Sequence, residues 1–324
     1  MPVLIYVKGA LKPYKKIGPL FETALHFEVK DPCIAFDGKL WHIYGTGVSP
    51  DGSGLRIAHA TALEIEGPWQ ECPTVDTGVA KTIHAAAPGV IFDQSDKHYH
   101  MALQEDFTAA GGKIGYLASN NGNTFTEIAT ALEPIPHTKE AGLYDPHFSL
   151  IRGERYLVYA AMQGIEDRTK PFIPQPDIYL AKSESGLWAG PWKRLGRILD
   201  HDHIDWHHNK RDHPDYEWGI EGPQIIELPS GQILLIATCF LEGYPRGSRQ
   251  RVFFAKASNI EGPYESLGPA IDPQSEWESG ENGHATGYIV GDTLYVFYQA
   301  RSKSEKSRWK YGLALFHISD IDRS

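Results

Sequence analysis

One module recurs five times along this chain, and no other feature constrains its fold as strongly. Each copy opens on an X-Pro or X-His step that runs into an apolar strand: DPCIAF (31–36), APGVIF (87–92), DPHFSLI (145–151), GPQIIEL (222–228) and GHATGYIV (283–290). A short turn, usually containing glycine, leads to a second strand dense in aromatic and branched residues, LWHIYG, HYHMAL, RYLVYA, ILLIAT and LYVFYQ. That succession is hairpin chemistry. A third strand follows after a loop of variable length, as LRIAHA, KIGYLAS, DIYLAKS, RVFFAKA and YGLALF. In four copies a Gly-containing turn and an aromatic come next: EGPW (66–69), GNTF (122–125), AGPW (189–192) and EGPY (261–264).

Measured from Pro32, Pro88, Pro146, Pro223 and His284, the copies are spaced 56, 58, 77 and 61 residues apart. Four-stranded units in series, punctuated by Gly and Pro and without a helical period, predict an all-β chain. Radial repetition makes that a five-bladed β-propeller of four-stranded antiparallel blades, occupying residues 1–324 as one domain. A β-sandwich does not repeat one module five times. The fifth copy shows only three strands, so another segment must complete it. The apolar stretch PVLIYVK (2–8) is one candidate latch, and residues 315–321 are the other.

Composition narrows the partners. The formal charge of −10 comes without a long basic run, which argues against nucleic acid. Eight Trp and sixteen Tyr suit a neutral, hydroxyl-rich ligand that stacks on aromatic rings. Cys33, Cys72 and Cys239 are too scattered for a disulfide framework or a CxxC site and are read as free thiols. With no charged leader before an apolar core and no apolar run of spanning length, the expected location is cytoplasmic, away from membranes.

In a propeller the first strand of every blade lines the central channel, and all run in one direction. Their N-terminal ends therefore meet at one rim. Asp31, Asp145, Glu221 and His284 stand there, at the openings of copies one, three, four and five. Glu-Gly-Pro also occurs at Glu66 and Glu261, but those follow third strands, whereas Glu221 opens a first strand. Two or three carboxylates around one pocket are what hydrolysis of a glycosidic bond requires.

On these motifs the chain resembles glycoside hydrolase family 43 and its five-bladed relatives, through all five copies. The resemblance implies that Asp31, in Asp31-Pro32, is the general base that activates water. It implies that Asp145, in Asp145-Pro146, orients the acid and tunes its pKa, and that Glu221, in Glu221-Gly222-Pro223, is the general acid. His284 in NGHATG resembles a Gly-His that in many members faces a metal ion or water cluster, implying Ca2+ in the channel. Arg301 in FYQAR resembles an arginine that some exo-acting members place on substrate hydroxyls.

The second copy departs from the family. Relatives commonly read Trp-Ala-Pro-Asp where this chain has Ala86-Ala87-Pro88-Gly89, and His84 is the candidate to fill that space. The long third copy carries the His-rich segment 199–219, read as a rim loop offering Trp206, His207 or Trp218 to a sugar rather than as a metal site. Segment 105–113 is a second flexible candidate for the rim. The expected activity is inverting, exo-acting hydrolysis of α-L-arabinofuranosides or β-xylosides in small oligosaccharides. A glycan-binding propeller without catalysis is one alternative. A related glycoside phosphorylase, using His207, His208, Lys210 and Arg211 for phosphate, is another.

Overall fold

The computed structural model describes residues 11–52, 54–78, 85–108, 111–162, 176–201, 219–240, 250–304 and 307–324, with backbone alone at 106–108 and 111. Among these described residues twenty strands fall into consecutive antiparallel groups. The first unit runs β2 (Glu28–Phe36), β3 (Trp41–Val48), β4 (Leu55–Ala62) and β5 (Gln70–Val75). The second runs β6 (Ala86–Asp93), β7 (His98–Thr108), β8 (Gly111–Ser119) and β9 (Thr126–Leu132). The third runs β10 (Gly142–Ile151), β11 (Glu154–Met162), β12 (Asp177–Ser183) and β13 (Trp192–Leu199). Next come β14 (Ile220–Glu227), β15 (Ile233–Phe240), β16 (Gln250–Ala257) and β17 (Glu265–Pro269). The last unit holds β18 (Glu281–Val290), β19 (Thr293–Arg301) and β20 (Lys310–His317), followed by the short helix α1 (Ile318–Arg323). A single pairing, Leu143 beside Gly112, joins the second and third units into one sheet.

A segment that neither expectation named supplies a fourth strand to the last unit. The fourth strand is β1 (Lys15–Ile17), which pairs with β20 through Lys15 and Leu315, Lys16 and Ala314, Ile17 and Leu313. Residues 315–321 instead belong to β20 and α1, while 2–8 lie outside the described residues. Three pairings are a weak hold, and a charge contact reinforces them. The Lys16 ammonium donates to Oε1 of Glu278 at 2.5 Å, and the Tyr298 hydroxyl donates to Oε2 at 2.8 Å. Glu278 is wholly buried, so its charge depends on those donors.

The first strands touch in a cycle: β2 meets β6, then β10, β14 and β18 follow in turn, and β18 returns to β2. The apolar core has the same cyclic form. Val158 and Leu180 of the third unit pack with Ile225 and Leu235 of the fourth, and Ile236 and Phe254 pack with Val296 and Ala314 of the last. Phe297 and Leu313 then pack on Ile34 and Ile43 of the first unit, Tyr44 and Ile57 on Val90 and Met101 of the second, and Ile114 on Leu157 of the third. Each unit therefore buries its faces against both neighbours, and every buried branched side chain contributes about 1.5–3 kcal/mol.

The described residues of segment 105–113 extend the β7–β8 ladder, Glu105 pairing with Lys113 and Thr108 with Gly111. The three cysteines carry free thiols. Among the described residues no helix is long and apolar enough to cross a membrane.

Candidate active site

Every first strand carries a β-bulge near its N-terminal end. Register breaks between Lys30 and Cys33, Ala86 and Gly89, Tyr144 and His147, Glu221 and Gln224, and Gly283 and Thr286. At each break one residue has left-handed backbone: Asp31 (φ 54°), Ala87 (φ 48°), Asp145 (φ 48°), Gly222 (φ 58°) and His284 (φ 43°). For residues other than glycine that conformation costs about 1–2 kcal/mol. A bulge re-aims the side chain it carries, and here three of the five carry candidate site residues. His284 is thus equivalent to Asp31 and Asp145 and not, as the proline spacing suggested, to Pro32 and Pro146. Glu221 precedes its bulge residue by one position, because Gly222 occupies it.

The four candidates converge although up to 253 residues separate them. His284 directs Nδ1 at Asp31 Oδ1 (3.3 Å) and Asp145 Oδ2 (3.6 Å), and Nε2 at Glu221 Oε1 (2.9 Å). All four side chains are nearly buried, Asp145 deepest at 9% exposure and Glu221 shallowest at 15%. Asp145 Oδ2 also accepts the Gly222 amide at 3.1 Å. Glycine serves that junction, since a β-carbon on residue 222 would sit 3.0 Å from His284 Nδ1 on a backbone that already has positive φ.

Burial alone would strip the His284 proton, but Asp145, Glu221 and Asp31 together lift its pKa to about 10, so the ring is a cation at neutral pH. Asp145 moves up to about 7: burial drives the shift, the His284 charge opposes it, and the Glu221 and Asp31 carboxylates add to it. The cluster is therefore one imidazolium among carboxylates, with Asp145 poised between protonation states near neutrality.

Beside Glu221 lies a polar shelf. Gln250 Nε2 donates to Glu221 Oε1 at 3.4 Å, and its backbone amide donates to Glu281 Oε2 at 3.4 Å. Glu281 in turn accepts from Arg301 Nε at 2.8 Å. Arg301 lies over the Trp309 ring, 4.5 Å from its centroid, and its side chain remains 29% exposed. Gly89 explains the departure in the second unit, because a β-carbon there would fall 2.2 Å from the Pro146 carbonyl oxygen. His84, Trp206, Trp218, His207, His208, Lys210 and Arg211 lie outside the described residues. Of segment 199–219, the described start is anchored: His201 Nδ1 lies 2.5 Å from Asp177 Oδ1, whose carboxylate also accepts from Arg197 at 2.9 Å.

The donor set does not fit calcium. Ligand atoms of Asp145, Glu221 and His284 lie within 4.8 Å of one another. Yet calcium takes about six to eight oxygens, and the central position here is an imidazole with both nitrogens turned to carboxylates. A protonated ring supplies the positive charge that a metal would bring.

Sequence reasoning missed the side chains behind the bulges. Thr46, Gln104, Thr238 and Gln299 are buried and stand opposite the residue preceding each bulge. Their signal was a threonine or glutamine late in the second strand, as in LWHIYGT, HYHMALQ, ILLIAT and LYVFYQ.

No protein-family model and no curated protein matches the chain. Solved structures do match it. A thermostable family-43 glycoside hydrolase aligns with a TM-score of 0.65 at 15% identity over 91% of both chains. The catalytic domain of the Coprinopsis cinerea GH62 α-L-arabinofuranosidase aligns with a TM-score of 0.70 at 13% identity, over 96% of this chain and 98% of that one. An exo-1,5-α-L-arabinanase from a bovine ruminal metagenomic library aligns with a TM-score of 0.63 at 15% identity, over 91% and 94%. The chain has the fold of the family-43 and GH62 glycoside hydrolases.

Proposed function

We propose that the five units are the blades of a five-bladed β-propeller and that the chain is a glycosidase, inverting and exo-acting on α-L-arabinofuranosides or β-xylosides. The observation that carries this reading is the meeting of Asp31, Asp145 and Glu221, from three units, around His284. Arabinofuranosides and arabinans are the substrates for which two of the structural neighbours are named.

In this reading Asp31 takes a proton from water as its oxygen attacks the anomeric carbon, and Glu221 gives a proton to the departing glycosidic oxygen as that bond breaks. The two face opposite ring nitrogens of His284, Asp31 at Nδ1 and Glu221 at Nε2, and an inverting pair holds a water between base and anomeric carbon. Glu221 is the least buried of the three, at 15% exposure. Asp145 holds a proton up to about pH 7, and its carboxylate lies within 4.8 Å of that of Glu221. After turnover Asp31 holds the proton taken from water and Glu221 lacks one, and exchange with solvent water restores both while His284 stays protonated at both nitrogens.

A panel of nitrophenyl glycosides, with and without phosphate, tests the reading, with NMR following the first anomer formed. Phosphate-independent release of a pentose with inverted anomeric configuration is expected. No release from any glycoside, release only with phosphate, or a retained anomer would overturn it.

A further inference from the structure

The left-handed residue of each bulge has an amide hydrogen that the strand ladder no longer satisfies, and a buried donor left unpaired is costly. In four units the acceptor comes from the second strand of the preceding unit. Asp31 donates to Gln299 Oε1 at 2.7 Å, Ala87 to Thr46 Oγ1 at 2.7 Å, Asp145 to Gln104 Oε1 at 3.3 Å, and His284 to Thr238 Oγ1 at 2.5 Å. Thr46, Gln104, Thr238 and Gln299 occupy one equivalent ladder position, opposite Lys30, Ala86, Glu221 and Gly283.

The third unit breaks the pattern. Its equivalent residue, opposite Tyr144, is Ala160, which is fully buried and has no side-chain acceptor. The amide it would have served is that of Gly222, the one taken by the Asp145 carboxylate. A threonine or glutamine at 160 would compete for that hydrogen and leave the Asp145 oxygen to find another partner.

We propose that Gln299, Gln104 and Thr238 are positioning residues that hold Asp31, Asp145 and His284 in their left-handed backbone, and that Ala160 withholds the fifth brace so that Asp145 is tied to the Glu221-Gly222 peptide. Thr46 supplies an internal control, because the residue it braces, Ala87, has only a methyl side chain. The same bond thus stabilises the fold in one unit and aims a site side chain in three.

The proposal rests on the glycosidase reading for its kinetic arm only. Gln299→Ala and Thr46→Ala each remove one brace and should lower the melting temperature comparably. Gln299→Ala should lower kcat about tenfold to a hundredfold, because small misplacements of reacting groups are that costly, with KM nearly unchanged. Gln299→Thr, which restores the acceptor used at Thr46 and Thr238, should recover most of kcat. Thr46→Ala should retain it. Crystal structures of Gln299→Ala and Ala160→Thr give an arm independent of activity: residue 31 should leave positive φ in the first, and the Asp145 carboxylate should leave the Gly222 amide in the second. Should Ala160→Thr fail to fold, the Gln299 pair and the Thr46 control decide alone. Equal kcat losses in Gln299→Ala and Thr46→Ala, no rescue by threonine, or an unmoved Asp31 would overturn the proposal. A wild-type chain inactive on every glycoside would instead overturn the glycosidase reading and leave the crystallographic arm standing.

Discussion

His284 faces Glu221 across 2.9 Å, while the opposite edge of its ring meets Asp31 and Asp145. One histidine thereby neutralises part of three converging carboxylates, and its removal leaves them buried without a counter-charge.

His284→Gln keeps comparable volume and hydrogen-bonding capacity but no charge. Losing one partner of a buried ionic cluster costs about 3–5 kcal/mol. Because the folded pKa of His284 is raised from 6.5 to about 10, its stabilisation is complete below pH 6.5 and lost as pH rises through about 10. Melting curves should therefore show the largest gap between wild type and variant below pH 6.5, narrowing toward pH 10. A constant gap would mean that the ring acts by packing.

Chelation should have little effect on turnover, since the ring already holds the central positive charge. Dialysis against EDTA followed by a calcium titration is expected to leave kcat unchanged within about twofold, whereas His284→Gln should lose about a hundredfold or more, a typical loss for misaligned catalytic groups. Calcium-dependent recovery of a chelated wild type would count against the imidazolium hub.

Lys16 should matter far beyond its three-residue strand. Lys16→Met leaves Glu278 buried beneath one tyrosine hydroxyl and Ser275, and should cost about 3–5 kcal/mol. Adding Glu278→Gln removes the stranded charge and should return part of that loss. Urea denaturation of the single and double variants measures both, and a purely additive pair would deny the coupling.

The second and third strands and the rim positions were legible because hydrophobic alternation, Gly/Pro punctuation and strand direction are local signals. The closing strand was not, because Lys15–Ile17 is short and polar and is held by Glu278, more than two hundred and fifty residues away. The register of the last unit slipped by one because the bulge is defined by backbone, and Ala285 stands where the other units have proline. Glu221 lies in a first strand, as its position in the repeat implied, whereas Glu66 and Glu261 lie in turns. That Asp145 is tied to Gly222 depended on an alanine at 160, and the significance of a missing side chain emerges only when the units are superposed.

Leaving-group dependence separates the two outer carboxylates. A nitrophenolate departs without a proton, whereas a sugar alkoxide needs one, and general acid catalysis contributes about 10² to 10⁴ in rate. Glu221→Ala should therefore cripple cleavage of oligosaccharides and spare much of the activity on nitrophenyl glycosides. Asp31→Ala should abolish both, since water must be activated whatever departs. Equal losses on both substrates in Glu221→Ala would move the acid role elsewhere.

Asp145 carries the same linkage sign as His284, in a lower pH window. Its folded pKa of about 7 lies above its ordinary 3.8, so the folded state binds this proton more tightly than the unfolded chain. Stability from this group is greatest below pH 3.8, declines as pH rises toward about 7, and is then flat. Asp145→Asn is close to the protonated side chain in shape and avoids that decline. The variant should match wild type in melting temperature near pH 3.5 and exceed it by several degrees above pH 7, at about 2–4 °C per kcal/mol for a chain of this size class. Catalysis should move the other way. The amide carries no charge beside His284 at any pH, so kcat should fall while KM holds, and the change of wild-type kcat as pH passes about 7 should disappear from the variant's profile. Destabilisation at every pH, or an alkaline limb that survives the substitution, would place the pH-sensitive proton on a different group.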